Sequence, residues 1–242
     1  MNIPLLPVLA IVFAAALVRA AFGFGDALVG MPLLALVVPL SVATPLMAMV
    51  APVLSLALLY GEWRHLNLRG AMRLIVSTVV GIPFGLLLLK RVDESLINLV
   101  LAAVIILFAA YNLLRPGLLR LRTERAAPVF GFVAGVLGAA TNTNGPPVVV
   151  YGALRGWPPE TFRATLQGYF LPTGLAILIG QGIAGLWTKP VVTTFLASLP
   201  AAFLAVVLGG ALGRRIPAAK FRSAVYVLML VLGLVLMIKT IS

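Results

Sequence analysis

The sequence has no cysteine, which excludes disulfides and thiolate metal sites and leaves redox compartment unreadable. Its one histidine, His65, lies in a charged gap, where ordinary solvation accounts for it. Charged residues make up only 10% of the 242, whereas soluble domains carry about 25%. So little polar surface excludes a water-soluble globule. Only six residues are acidic against 18 Lys and Arg, a net charge of +12. That balance suits nucleic acid, but no basic, aromatic-interleaved domain stands apart from the apolar runs, so no nucleic-acid partner is expected. The opening MNIPLLPVLAIVFAAALV lacks the basic region of a cleaved signal peptide and reads as a first membrane segment.

What is present is apolar sequence: 62% hydrophobic residues, with a mean hydropathy of +1.14. Apolar segments run over 3–22, 27–40, 42–60, 71–89, 95–114, 127–140, 146–154, 164–184, 190–212 and 222–240. Runs near 20 residues mark membrane-spanning helices, so the chain reads as an all-α polytopic membrane protein in contact with the lipid bilayer. Trp63, Trp157 and Trp187 fall at segment edges, where interfacial anchors belong. The polar gap 115–126 is a natural midpoint, dividing a first repeat (1–114) from a second (127–242).

Placing the gaps 61–70, 115–126, 155–163 and 213–221 in the cytoplasm gathers there, with residues at the adjoining helix ends, 13 of the 18 basic residues. The opposite side keeps Lys90, Arg91, Lys189 and Lys239, and Arg19 lies within a span. This is the cytoplasmic bias of basic loops. It requires 3–40 to start and end outside and 127–154 to start and end inside, so both termini are expected outside. Each half then has a broken or re-entrant helical pair followed by three crossings. Five segments per half invert the second repeat relative to the first, an arrangement common in secondary transporters. At an offset of 115, Gly23 matches Gly138, Gly30 matches Gly145 and Pro32 matches Pro147.

The two breaks carry the chemistry. AFGFGDALVGMP (Ala21 to Pro32) and GAATNTNGPPVVVY (Gly138 to Tyr151) put glycines, prolines, amides and one carboxylate inside apolar sequence. Proline costs about 3 kcal/mol in a helix interior. Irregular backbone at membrane depth survives only beside protein or a water-filled cavity. New helices are expected to start near Met31-Pro32 and at Pro146-Pro147, and a helix start is an anion site. The expected substrate site comprises amide N–H groups at Gly30 and along Gly145–Val148, with Gly25, Pro146 and the side chains of Asn142, Thr143 and Asn144. Asn142 or Asn144 is also suited to capping the second helix. For single glycines, close helix packing is the competing role.

Asp26 is the only carboxylate well inside an apolar region, which marks it for a functional partner, a proton or a cation. Capping the helix that begins near Ala27 is its structural alternative. Arg19 either supplies positive charge to the ligand, neutralises Asp26 or snorkels to the interface. Arg163 either assists the ligand or serves as a topology charge, and Gln167 lies four residues on, on the same face. FGFGD also suggests an intramembrane aspartyl protease, but that chemistry needs two carboxylates sharing a proton. Glu62, Asp93, Glu94, Glu124 and Glu160 all lie at segment ends or in gaps, so no enzyme is expected.

GFGDALVGMPLL, GFVAGVLGAATNTNGPPVVVY and ETFRATL resemble the repeated motifs of the sulfite exporter TauE/SafE family, also called toluene sulfonate uptake permeases, over nearly the whole chain. The resemblance implies a bacterial-type inner-membrane permease for a small sulfur-containing or organic anion, such as sulfite, sulfoacetate or an aryl sulfonate. Small residues, often glycine, are usual in the family where Asn142 and Asn144 stand, and the first motif does not generally carry Asp26. The combined expectation is a secondary transporter working by alternating access, with Asp26 as the proton-coupling group and no cofactor or metal. A passive anion channel and a non-transporting membrane assembly protein are the alternatives, and assembly into a homo-oligomer is left open.

Overall fold

A computed structural model describes residues 3–62, 68–114, 121, 123–215 and 218–241. The side chains of 59–62, 68–70, 159, 160, 163, 213–215 and 218–222 lie outside the description. Trp63 and His65 therefore fall outside the described residues, as do the side chains of most basic residues of the cytoplasmic gaps. Among the described residues there is no strand, and ten α-helices follow one another. They are α1 (Leu5–Phe22), α2 (Asp26–Ala35), α3 (Leu40–Glu62), α4 (Leu68–Arg91), α5 (Glu94–Leu114), α6 (Ala127–Thr141), α7 (Gly145–Leu154), α8 (Pro159–Ile183), α9 (Lys189–Arg215) and α10 (Ala218–Ile241). Each coincides with one apolar segment of the sequence. A 3-10 turn at Glu124–Ala126 leads into α6.

Six of these helices, α1, α3, α4, α5, α9 and α10, are long and apolar enough to cross a membrane. Helix α8 has the length, 25 residues, but buries Thr165, Gln167, Thr173 and Gln181. It is polar because it faces the interior. Helices α2 and α7 have ten residues each, about 15 Å at 1.5 Å per residue, half of the ~30 Å hydrocarbon core. The outer helices turn large side chains outward, among them Phe84 on α4, Leu107 on α5, Val207 on α9 and Ile238 on α10. Lipid is the solvent that makes such a surface stable. Helix α3 lies inside: 72% of its span is buried, against 28% for α4, α9 and α10.

The principal helix contacts are α4 with α6, α1 with α9, α5 with α10, α3 with α8, α4 with α8, α1 with α2 and α3 with α9. Helices α4 and α6 meet at near backbone contact. A Cβ added at Gly135 would lie 2.1 Å from the Thr78 carbonyl oxygen, and one at Gly81 would lie 2.3 Å from that of Phe132. Gly81, Gly85, Gly131 and Gly135 form two small-xxx-small faces, which drive helix association in membranes through close packing. Helices α1 and α9 touch similarly, where Gly209 faces Leu17 and Ala20.

Two sets of polar contacts tie off the short helices. Lys239 donates to the Leu36 carbonyl at 2.9 Å, and Glu94 accepts from the Leu40 amide at 2.7 Å. These close the turn between α2 and α3. At the other short helix, the Leu121 amide donates to the Leu154 carbonyl at 2.9 Å, and Arg155 returns a bond to the Leu121 carbonyl at 2.8 Å.

Candidate functional site

Both breaks are made by left-handed residues. Gly23 (φ 85°) ends α1, its amide donating to the Arg19 carbonyl at 2.6 Å, and Gly25 (φ 101°) precedes α2. Only glycine takes these angles at little cost. In the second break the left-handed residue is Asn142 (φ 56°), which ends α6 with its amide on the Gly138 carbonyl at 2.8 Å. Asparagine is among the few other residues that visit this region routinely.

The first turn brings Arg19 and Asp26 together. Arg19 is 2% exposed, so it does not snorkel, and its Nη1 donates to Asp26 Oδ2 at 2.6 Å. Its Nη2 donates to Ser55 Oγ on α3 and to Gln167 Oε1 on α8, the latter at 3.2 Å. Gln167 Nε2 in turn donates to the Gly23 carbonyl. Phe170 lies under the guanidinium, 5.1 Å from carbon to ring centroid, a cation–π arrangement. Of the Arg19 nitrogens, Nε alone is left without a partner. A charge held this way is bound across both halves, and removing one member of a buried pair typically costs about 3–5 kcal/mol.

Beside this cluster lies a cleft lined by Arg19, Gly25 to Leu28, Ala51, Asn142 to Pro146, Phe170 and Gly174. Water-sized bodies can be centred in about 20 Å³ of it, room for one or two waters or a compact ion. Its walls include the opening turns of α2 and α7. Helix starts leave N–H groups without intrahelical partners. In α2 these belong to Gly25, Asp26, Ala27 and Leu28, since the first helical bond here runs from the Val29 amide to the Gly25 carbonyl at 3.1 Å. In α7 they belong to Asn144 and Gly145, because Pro146 and Pro147 have no N–H.

Several expectations need correction. Helix α2 starts at Asp26, not at Met31-Pro32, and Pro32 lies inside it. Two left-handed glycines have already turned the chain, so the later residues are free to be helical. Gly30 is consequently not at a helix start and does not line the cleft: a Cβ there would sit 3.1 Å from Ala15 Cβ and Met47 Cε, so it packs α2 against α1 and α3. Along Gly145–Val148, only Gly145 and Pro146 line the cleft, and Pro146 has no N–H to donate. Asp26 is not a cap: Gly25 holds that position, and the carboxylate is taken by Arg19. Asn142 and Asn144 do not cap α7 with their side chains either; Asn144 stands at the cap position with helical backbone and points Nδ2 to Thr173 Oγ1 at 3.5 Å.

Asn142, Thr143, Asn144, Gly145, Pro146, Gly25, Asp26 and Arg19 all line one cleft. Gln167 stands behind it, on Arg19. The backbone of Arg163 lies in α8, and its side chain is outside the described residues. Sequence reasoning missed Ser55, Phe170 and Gly174. Phe170 and Gly174 follow Gln167 at i+3 and i+7, so helical spacing from a flagged residue was the available signal. Ser55, one hydroxyl in an apolar run, gave none.

Neither the curated proteins nor the solved structures contain a match to this chain. The family model described as Sulfite exporter TauE/SafE, however, matches residues 8–236. A ten-helix membrane frame with both family motifs on one polar cleft is thus matched along nearly its whole length, and the chain belongs to the TauE/SafE family of membrane transporters of sulfur anions.

Proposed function

We propose that the protein is a secondary transporter that carries a small sulfur-containing anion by alternating access, binding it in the cleft between the starts of α2 and α7. The observation that carries this is the convergence of two helix N-termini, from opposite halves, on a cleft lined by a buried arginine whose Nε has no hydrogen-bond partner. Helix starts offer N–H groups and positive dipole ends to an anion. Asn142, Thr143 and Asn144 add side-chain donors at the same wall. Gln167 acts by holding Arg19, and Asp26 is the group through which a proton is coupled.

The larger helix contacts support a repeat of five helices. Exchanging α1 with α6, α2 with α7, α3 with α8, α4 with α9 and α5 with α10 turns the α4–α6 contact into α9–α1 and α4–α8 into α9–α3. The α3–α8 and α5–α10 contacts map onto themselves. The surface contacts support the expected sidedness as well. Lys239, Glu94 and the Leu36–Leu40 turn, all assigned outside, meet one another. Leu121 and Arg155, both assigned inside, do likewise.

A thermal-shift measurement on purified protein tests the site. Ligand binding to the folded state alone raises the melting temperature. Sulfite, thiosulfate or a small sulfonate is expected to raise it for the wild type, and Asn144→Ala is expected to reduce the shift while leaving the unliganded melting temperature nearly unchanged. An equal shift in the variant removes Asn144 from the site.

A further inference from the structure

Resting on the proposed anion site, we infer that the Arg19–Asp26 pair sets the charge of the anion this cleft accepts: one negative charge while Asp26 is ionised, two once it is neutralised. The inference comes from counting the charges that face the cleft. Arg19 and Asp26 both line it and lie 2.6 Å apart, so together they contribute none. What remains is the pair of helix starts, each equivalent to roughly +0.5 elementary charge. Their sum balances one anionic charge, not two.

The opposite, negative helix ends do not cancel them. Of α1 only Arg19, in its last turn, lines the cleft, and α6 reaches it only through its cap residue Asn142. Carbonyls at both of these ends are occupied by other donors. Gly23 accepts from Gln167, Gly138 from the Asn142 amide at 2.8 Å, Ala139 from Gln181 at 3.4 Å and Ala140 from Thr44 at 3.3 Å. The unpartnered Arg19 Nε, by contrast, is a donor held inside a residue that lines the cleft.

Other charges do not enter the count. On the elements packed against α2, the charged side chains described are Arg19 on α1, Asp93 and Glu94 at the start of α5 and Lys239 on α10. Glu94 and Lys239 close the turn at the far end of α2. Neutralising Asp26 would leave Arg19 as an uncompensated positive charge, and the cleft would then balance a divalent anion. Asp26 is in this sense an internal anion that occupies one of the two charges the cleft can hold.

Methanesulfonate and sulfate test the charge rule, because both are tetrahedral at sulfur and they differ by one charge. Binding of each to the purified full-length protein is measured by titration calorimetry at matched ionic strength. The wild type is expected to bind methanesulfonate about tenfold or more tightly than sulfate, the scale of one unit charge in a partly screened site. In Asp26→Asn the ratio is expected to fall by at least about tenfold. Since that variant leaves a buried arginine unpaired, Arg19→Gln/Asp26→Asn is measured beside it. Removing both charges keeps the count, so the double variant is expected to bind both ions more weakly and still prefer methanesulfonate. A wild type that binds sulfate at least as tightly, or an unchanged ratio in Asp26→Asn, or a double variant preferring sulfate, overturns the charge rule while leaving the anion site in place. Absence of binding to the wild type by both ions and by sulfite overturns the site itself.

Discussion

Arg19 is only 2% exposed, and its guanidinium is met by side chains from three other helices: Asp26 on α2, Ser55 on α3, and Gln167 and Phe170 on α8. Arg19→Leu would leave the Asp26 carboxylate buried and unpaired, and is expected to destabilise the protein by about 3–5 kcal/mol, read as a lower melting temperature. Asp26 carries a different expectation. Asp26→Asn should abolish the dependence of uptake on a pH gradient in proteoliposomes, and persistent proton-driven uptake would exclude it as the coupling group. For Asn142 the backbone dictates the informative variant. Alanine at φ 56° meets left-handed strain of roughly 1–2 kcal/mol, whereas glycine relieves it and still deletes the amide. Asn142→Gly should therefore melt at or above the wild-type temperature yet bind anion more weakly; unchanged affinity would take the Asn142 side chain out of the site.

Among the helices, α4 and α6 are joined most rigidly, with no space for a methyl group at Gly135 against the Thr78 carbonyl. Gly135→Val is expected to cost at least about 1–3 kcal/mol of overpacking and to reduce the yield of folded protein, as judged by size-exclusion and thermal melting. Gly210, on α9, faces open space, so Gly210→Ala on the same assay should change nothing. The pair of variants separates a packing glycine from an incidental one. The same distinction explains the fate of Gly30. The sequence places its amide at a helix start near Met31-Pro32, but the rotation of α2 points its open side at Ala15 and Met47. Composition cannot report that rotation, since a glycine at a cleft and a glycine at a helix contact read alike.

For the whole molecule the testable quantity is which turns share a side of the membrane. The chain lacks cysteine, so single cysteines can be placed without background. Val37→Cys, Asp93→Cys and Thr188→Cys are expected to react with an impermeant maleimide from outside intact cells, and Thr123→Cys and Pro158→Cys only after lysis. Mixed labelling within either group would break the inverted topology. The helix contacts give a reason why such an arrangement suits a carrier. Close contacts between small residues bind α4 to α6 and α1 to α9, while the cleft lies where α2 and α7 meet the interior helices α3 and α8. Rigid pairs around a small polar site are what rocking one body against another requires.

All ten helices were legible in the amino-acid order, because runs of apolar residues near the bilayer thickness and the breaks between them are local properties of the chain. So were the two discontinuities, since glycine, asparagine and proline act on their own backbone angles. The tertiary structure alone decided which partners fill the breaks. Arg19 pairs with Asp26 seven residues away, but its other partners lie 36 and 148 residues distant, and no local periodicity connects them. It also decided that the α2 start, not Gly30, faces the cleft, because facing is set by how whole helices rotate and pack.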